Sequence, residues 1–180
     1  MGQALPLLEC DPFLVAALFA DLRAVGARGR RDDRGCLLVL DIDHFHRLEE
    51  TAGADSAEAA LVRVAQTLAR LLPPGSRAAR LGSDKFAVLL AASGLGDALA
   101  LAETLRLTLA APGEVADDPA VPVSIGLADA IGLHDEPPGD TLERAGAALL
   151  RAKRDGRNRT RVAPPPRPRV GGISHAMAMR

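Results

Sequence analysis

Cys36-Leu37-Leu38-Val39-Leu40-Asp41-Ile42-Asp43 decides how this chain reads. It is a short, unbroken apolar run that closes on acids. Continuous apolarity, rather than alternation, suits a central strand buried on both faces. The carboxylates at its end point at whatever lies beyond the sheet, and hard oxygen ligands of that kind suit Mg²⁺. Acids after buried strands are also commonly solvated or helix-capping, so this run alone decides nothing about a metal.

Helices are expected before and after this strand in the chain. Residues 12–28 carry Phe13, Ala17, Ala20, Ala24 and Leu14, Leu18, Leu22, Val25 at helical spacing, with Asp11 as N-cap and Pro12 at the first helical position. Residues 55–72 form a second helix, striped by Leu61, Val64, Ala65, Leu68 and Leu72 and stopped by Pro73-Pro74-Gly75. Arg77–Leu81 and Phe86–Ala91 read as two short strands, with Gly82-Ser83-Asp84-Lys85 as the hairpin tip. Gly82 there permits the unusual backbone angles of a tight turn, and Asp84 is expected to be exposed. A third helix over 95–111, a strand starting at Pro122, a loop over 133–139 and a fourth helix over 140–155 follow, with Gly156 as its C-cap. Thr160–Ala163 suits a last edge strand.

That order predicts an α/β (α+β) fold: a central, mainly antiparallel sheet with helices packed around it. Three segments are expected: an N-terminal helix and connector over 1–35, the main domain over 36–163, and a Pro/Arg-rich disordered tail over 164–180. Within the fourth strand, Gly126 implies a bulge or the close approach of another backbone.

Composition narrows the classes. The chain has 180 residues and a net charge of −1, which gives no overall bias toward nucleic acid or membranes. After Asp155 only basic residues are charged, which reads as a solvated tail. Its two cysteines make no disulfide framework or zinc pattern, and Cys36 is expected to be a buried thiol. No apolar stretch is long enough to span a bilayer, and no signal peptide is evident, so the expected address is the cytoplasm.

The chemistry-bearing stretches are Asp41-Ile42-Asp43, the hairpin tip, Val123-Ser124-Ile125-Gly126, and Ala152-Lys153 through Gly156-Arg157-Asn158. Lys153 and Arg157, four apart at a helix C-terminus, share one side and would clamp phosphate. Cations are welcome at that helix end in any case. Taken one by one, each stretch has a structural explanation.

Together, in order and spacing, they resemble the GGDEF family, the diguanylate cyclases, over about residues 36–162. The resemblance implies a nucleotidyl-cyclase palm that joins two GTP molecules into cyclic di-GMP, each active site being completed by a second subunit. A homodimer and GTP binding are therefore expectations. Asp41, the carbonyl of Ile42 and Asp84 would hold Mg²⁺, and Lys153 and Arg157 would bind the triphosphate. Asp84 and position 85 would be catalytic.

The departures are several. Where the family signature has Glu, this chain has Lys85. Replacing an anion by a cation within ~5 Å of a dication shifts the local energy by several kcal/mol even at an effective dielectric of ~20, so weakened Mg²⁺ binding is expected. Alternatively, the ammonium stands in for a metal and neutralises phosphate directly. Ser83 replaces a signature Gly. The guanine-reading Asn and Asp are Glu49 and Glu58, the Lys after the metal strand is His46, and the feedback-site Arg and Asp are Pro73 and Ser76. The resulting expectation is a degenerate domain, catalytically inactive, acting as a regulatory or protein-interaction module with residual Mg-GTP binding and an unidentified protein partner. The alternative is an active or residual cyclase.

Overall fold

In the computed structural model the opening apolar run is β1 (Gly35–Ile42), buried at every residue. The structure describes residues 9–27, 35–91, 93–113, 119–130 and 138–166. β1 lies at the centre of a five-stranded sheet ordered β2-β3-β1-β4-β5. Its neighbours are β3 (Lys85–Ala91) and β4 (Val123–Asp129), both antiparallel to it. β2 (Arg77–Arg80) pairs antiparallel with β3, and β5 (Thr160–Val162) is parallel to β4 at the far edge. The expectation of a mainly antiparallel sheet holds.

Strand alternation divides β1 between two cores. Leu38, Leu40 and Ile42 join Phe45, Val64, Leu68 and Leu105 on the face covered by α3 (Ala54–Leu71) and α4 (Leu95–Ala110). Leu37 and Val39 join Leu18, Leu22, Ala148 and Leu149 on the face covered by α1 (Pro12–Ala27) and α5 (Pro138–Arg154). Asp41 continues this second row, so its carboxylate falls on the α5 face.

α1 begins as expected, with the Asp11 carboxylate accepting the Phe13 amide at 2.8 Å. Of its two apolar rows, the leucine row faces inward and Leu18 and Leu22 are buried. Phe13 is 82% exposed, so it is not one of the core rings.

One element was absent from the sequence reading. α2 (Phe45–Ala52) follows β1 directly and is only eight residues long, with buried Phe45 and partly buried Leu48 as its inward residues. Two apolar residues over two turns leave almost no periodic signal. Its start at His44 is a left-handed residue, φ 60°, that carries no side-chain cap.

The Gly126 expectation holds in its close-approach form. A Cβ there would land on the Ala145 carbonyl and the Leu149 amide of α5. The expected loop over 133–139 lies outside the described residues except for Pro138 and Gly139, which open α5. Most of the expected tail, from residue 167, also lies outside them. Among the described residues, no helix is long and apolar enough to cross a membrane.

Candidate functional site

The site forms where β1, β3 and the end of α5 meet. Sheet register sets Lys85, the first residue of β3, directly opposite Asp41. Residues opposed across an antiparallel pair project to the same face. Lys153 reaches the same carboxylate from the last turn of α5. Its Nζ lies 2.5 Å from Asp41 Oδ1, while Lys85 Nζ is 4.0 Å from Oδ2. Asp41 is buried at 3% exposure, with Lys153 at 29% and Lys85 at 45% side-chain exposure above it. Two ammoniums therefore straddle one buried carboxylate.

Burial pushes the Asp41 pKa upward. The Lys153 ammonium opposes that shift most strongly, Asp84 adds to it, and Lys85 again opposes it. Asp41, Lys85 and Lys153, with Leu81, Leu142 and Leu149, line a groove of about 270 Å³.

The hairpin tip is fastened beside them. Ile42 donates its amide to the Asp84 carbonyl at 3.1 Å, and Leu81 donates to the Lys85 carbonyl at 2.7 Å. The Arg80 guanidinium takes the Gly82 carbonyl at 2.8 Å and the Ser83 carbonyl at 2.5 Å. Asp84 Oδ1 accepts the Ser83 hydroxyl at 3.2 Å. Asp84 is half-buried rather than exposed. Gly82 does not take a left-handed backbone, and a Cβ there would meet nothing within 4 Å. The tight-turn explanation for this glycine is thus corrected: the turn does not need it, and the space above it is open.

The end of α5 is a Schellman motif, the Arg157 amide bonding the Ala152 carbonyl at 3.0 Å and Gly156 turning at φ 112°. Arg157 therefore lies beyond the helix, at φ 63°, and helical spacing does not relate it to Lys153. Asn158 follows at φ 41°, so two successive non-glycine residues occupy left-handed backbone.

What holds that turn is Asp43, one of the strand-end carboxylates weighed from the sequence as a metal ligand or a solvated acid, and here a structural acceptor. Its Oδ2 accepts the Asn158 amide at 2.8 Å, and its Oδ1 accepts the Ser124 hydroxyl at 2.7 Å. Arg106 adds a bond to Asn158 Oδ1 at 3.1 Å and pairs with Glu103 at 2.8 Å. The available signal was Ser124, a hydroxyl inside an apolar strand, which needs a buried partner.

The expected base-reading residues stand apart. His46 is 83% exposed and pairs with Glu50 at 3.1 Å, with Glu49 at 4.0 Å. Glu58 is exposed on α3. None of the three lines the Lys85–Lys153 groove. A larger cavity of about 940 Å³ lies on the other side of α2, against Ile42, Arg47, Thr51, Ser56 and Val121, and it too is lined by none of them.

A five-stranded β2-β3-β1-β4-β5 sheet, with a charged site at the end of its central strand, defines a palm-like α/β domain. The sequence model described as diguanylate cyclase, GGDEF domain, matches residues 16–159, and the chain belongs to that family. Diguanylate cyclase DgcP of Pseudomonas aeruginosa is 38% identical over 151 residues, covering 82% of this chain and 22% of that protein. The chain spans less than half the length of the curated relatives it matches. The active GGEEF domain of a diguanylate cyclase from Vibrio cholerae superposes with a TM-score of 0.75 at 26% identity, over 84% of this chain and 97% of that one. Diguanylate cyclase SiaD of Pseudomonas aeruginosa, solved in complex with its activator SiaC, superposes with a TM-score of 0.73 at 30% identity, over 85% and 61%.

Proposed function

We propose that this chain is a GGDEF domain that does not form cyclic di-GMP and acts as a regulatory or protein-interaction module in cyclic di-GMP signalling, in the cytoplasm. The observation that carries this reading is Lys85. It faces Asp41 across the strand pair, 4.0 Å from its carboxylate, instead of swinging into solvent. Where the family's chemistry calls for an anion beside metal-bound phosphate, this chain presents a cation.

The donors for a resident divalent ion fit poorly. Both oxygens of Asp41 face ammoniums, and Asp84 Oδ1 faces the Ser83 hydroxyl. Among the described residues there is no cluster of three or more His, Cys, Asp or Glu side chains able to hold a metal. A dication approaching Asp41 would have to displace Lys85 or Lys153 and would be repelled by both. Base reading is weakened as well, since Glu49 has no amide donor and Glu58, which keeps the acceptor, is one methylene longer than Asp; both are exposed.

The reading as a protein-interaction module is supported by the SiaD–SiaC complex, in which a related cyclase takes a protein partner. Self-association into a homodimer is the second partner reading. The alternative function, a residual cyclase, rests on the retained Asp41, Asp84, Lys153 and Arg157, of which Asp41 and Lys153 line one groove. Incubation of the folded protein with GTP and Mg²⁺, followed by chromatography for cyclic di-GMP, separates the two. We expect no product above a no-protein control, and product would overturn the inactive reading.

A further inference from the structure

We propose that Lys85 makes the phosphate groove self-sufficient: this chain binds a di- or triphosphate group through Lys85 and Lys153 without a divalent cation. The inference deepens the nucleotide side of the reading above and rests on the groove identified there.

Two aspartates, a glutamate and one lysine would leave the site with two surplus negative charges, which one divalent cation neutralises. A Glu-to-Lys difference moves the local charge by two units in the positive direction, as much as one Mg²⁺ supplies. With Lys85 in place, Asp41, Asp84, Lys85 and Lys153 balance without any ion.

Position makes that charge usable. Lys85 and Lys153 come from different elements, a strand start and a helix end, and meet only at Asp41. The carboxylate lies beneath them, buried, and gathers both ammoniums at the mouth of the groove. Each ammonium carries three donors, and a single carboxylate below leaves donors on each facing outward. Both side chains keep an open side, at 45% and 29% exposure, so an anion reaches them without unfolding anything. A preorganised pair of cations costs little to order when the anion arrives, because Asp41 has already ordered it.

The metal-dependent design answers differently to chelation. A site built on carboxylates binds phosphate only through the metal, whereas a site built on ammoniums is indifferent to it or is hindered, because free Mg²⁺ competes for the phosphate.

The test is calorimetric titration of the full chain with inorganic triphosphate, once with EDTA and once with excess Mg²⁺. We expect binding in EDTA that Mg²⁺ does not strengthen. Lys85→Ala should weaken binding in EDTA about tenfold or more, the range of a lost charged hydrogen bond. Lys85→Glu should abolish binding in EDTA and restore it with Mg²⁺. Circular dichroism melts of each variant establish that the fold is intact, and Lys85→Met, which keeps the aliphatic stem, replaces Lys85→Ala if that variant unfolds. Binding by the wild type only with Mg²⁺, or unchanged binding in Lys85→Ala, overturns the inference. Absence of triphosphate binding under both conditions also overturns it while leaving the inactive reading standing. Cyclic di-GMP formation in the separate GTP assay, with metal-free triphosphate binding intact, overturns the inactive reading alone.

Discussion

The two halves of the expected nucleotide site have fared differently. At the phosphate end, Asp41, Lys85 and Lys153 converge because strand register and helix docking bring them together. At the base-reading end, His46, Glu49 and Glu58 are exposed side chains on α2 and α3, and His46 is occupied with neighbouring acids. The first cluster is anchored to the core, and changing it disturbs packing. The second is attached only to helix surfaces, where most substitutions cost little. The departures from the family pattern differ accordingly: at the base-reading end they are exposed side chains, whereas Lys85 at the phosphate end keeps a contact with the buried Asp41.

The comparison makes its largest prediction at Gly126. α5 presses its backbone on β4 there, and that contact sets the height of Lys153 over Asp41. Gly126→Ala puts a methyl into the Ala145 carbonyl and the Leu149 amide, which are backbone atoms and cannot rotate away. A loss of about 3 kcal/mol is expected, at the upper end of overpacking costs. For a chain of this size that lowers Tm by about 10 °C, readable by circular dichroism. A melt unchanged within 2–3 °C, by the ~2–4 °C per kcal/mol scale, would mean that α5 is loosely seated and the phosphate end is no more rigid than the base end.

Asp43→Ala comes next. It removes the acceptor shared by the Ser124 hydroxyl and the Asn158 amide, stranding a fully buried hydroxyl. The cost should be about 2 kcal/mol, in line with an unsatisfied buried donor. Asp43→Asn should recover part of it. Because Asn158 follows Arg157, the same variant should also raise protease sensitivity between α5 and β5, and equal sensitivity would show that the left-handed turn holds itself.

Lys153→Ala set beside His46→Ala, Glu49→Gln and Glu58→Gln tests the comparison directly. Losing Lys153 leaves Asp41 buried with only the more distant Lys85. Fully buried pairs cost more when broken, but Lys153 is partly exposed, so about 1–2 kcal/mol is expected. The surface trio should each change stability by less than ~0.5 kcal/mol. Equal effects in chemical denaturation would erase the distinction between the two ends.

Most of the sheet was legible because β1 is continuously apolar and the helices beside it carry long apolar stripes. Residues that repeat a pattern over several turns announce themselves, whereas α2 did not, since two inward residues make no period. Of the residues expected at the site, Asp41, Lys85 and Lys153 do come together in the structure. Site geometry was less legible, because Lys153 and Arg157 look like helical neighbours until Gly156 ends the helix between them. The bracing role of Asp43 is illegible in the sequence for a related reason. Its partners, Ser124 and Asn158, lie 81 and 115 residues away, and only the closed sheet brings them together.

The smallest effect concerns acid. Hydrogen bonding from the Arg106 guanidinium holds the Glu103 carboxyl below its ordinary value of 4.5. A carboxyl whose folded pKa is depressed adds stability above its unfolded pKa and loses it as pH falls through the folded value. The wild type should therefore exceed Glu103→Gln in stability at neutral pH, and the difference should vanish below the lowered pKa. Both partners are partly open to solvent, so the difference should be only about 0.2–1 kcal/mol at neutral pH and should shrink in high salt. Arg106 also bonds Asn158, so the pair braces from outside the turn that Asp43 braces from inside. If Glu103→Gln and Asp43→Asn destabilise more together than the sum of their separate effects, the two braces act on one element; strict additivity would show that Arg106 keeps its grip on Asn158 without Glu103.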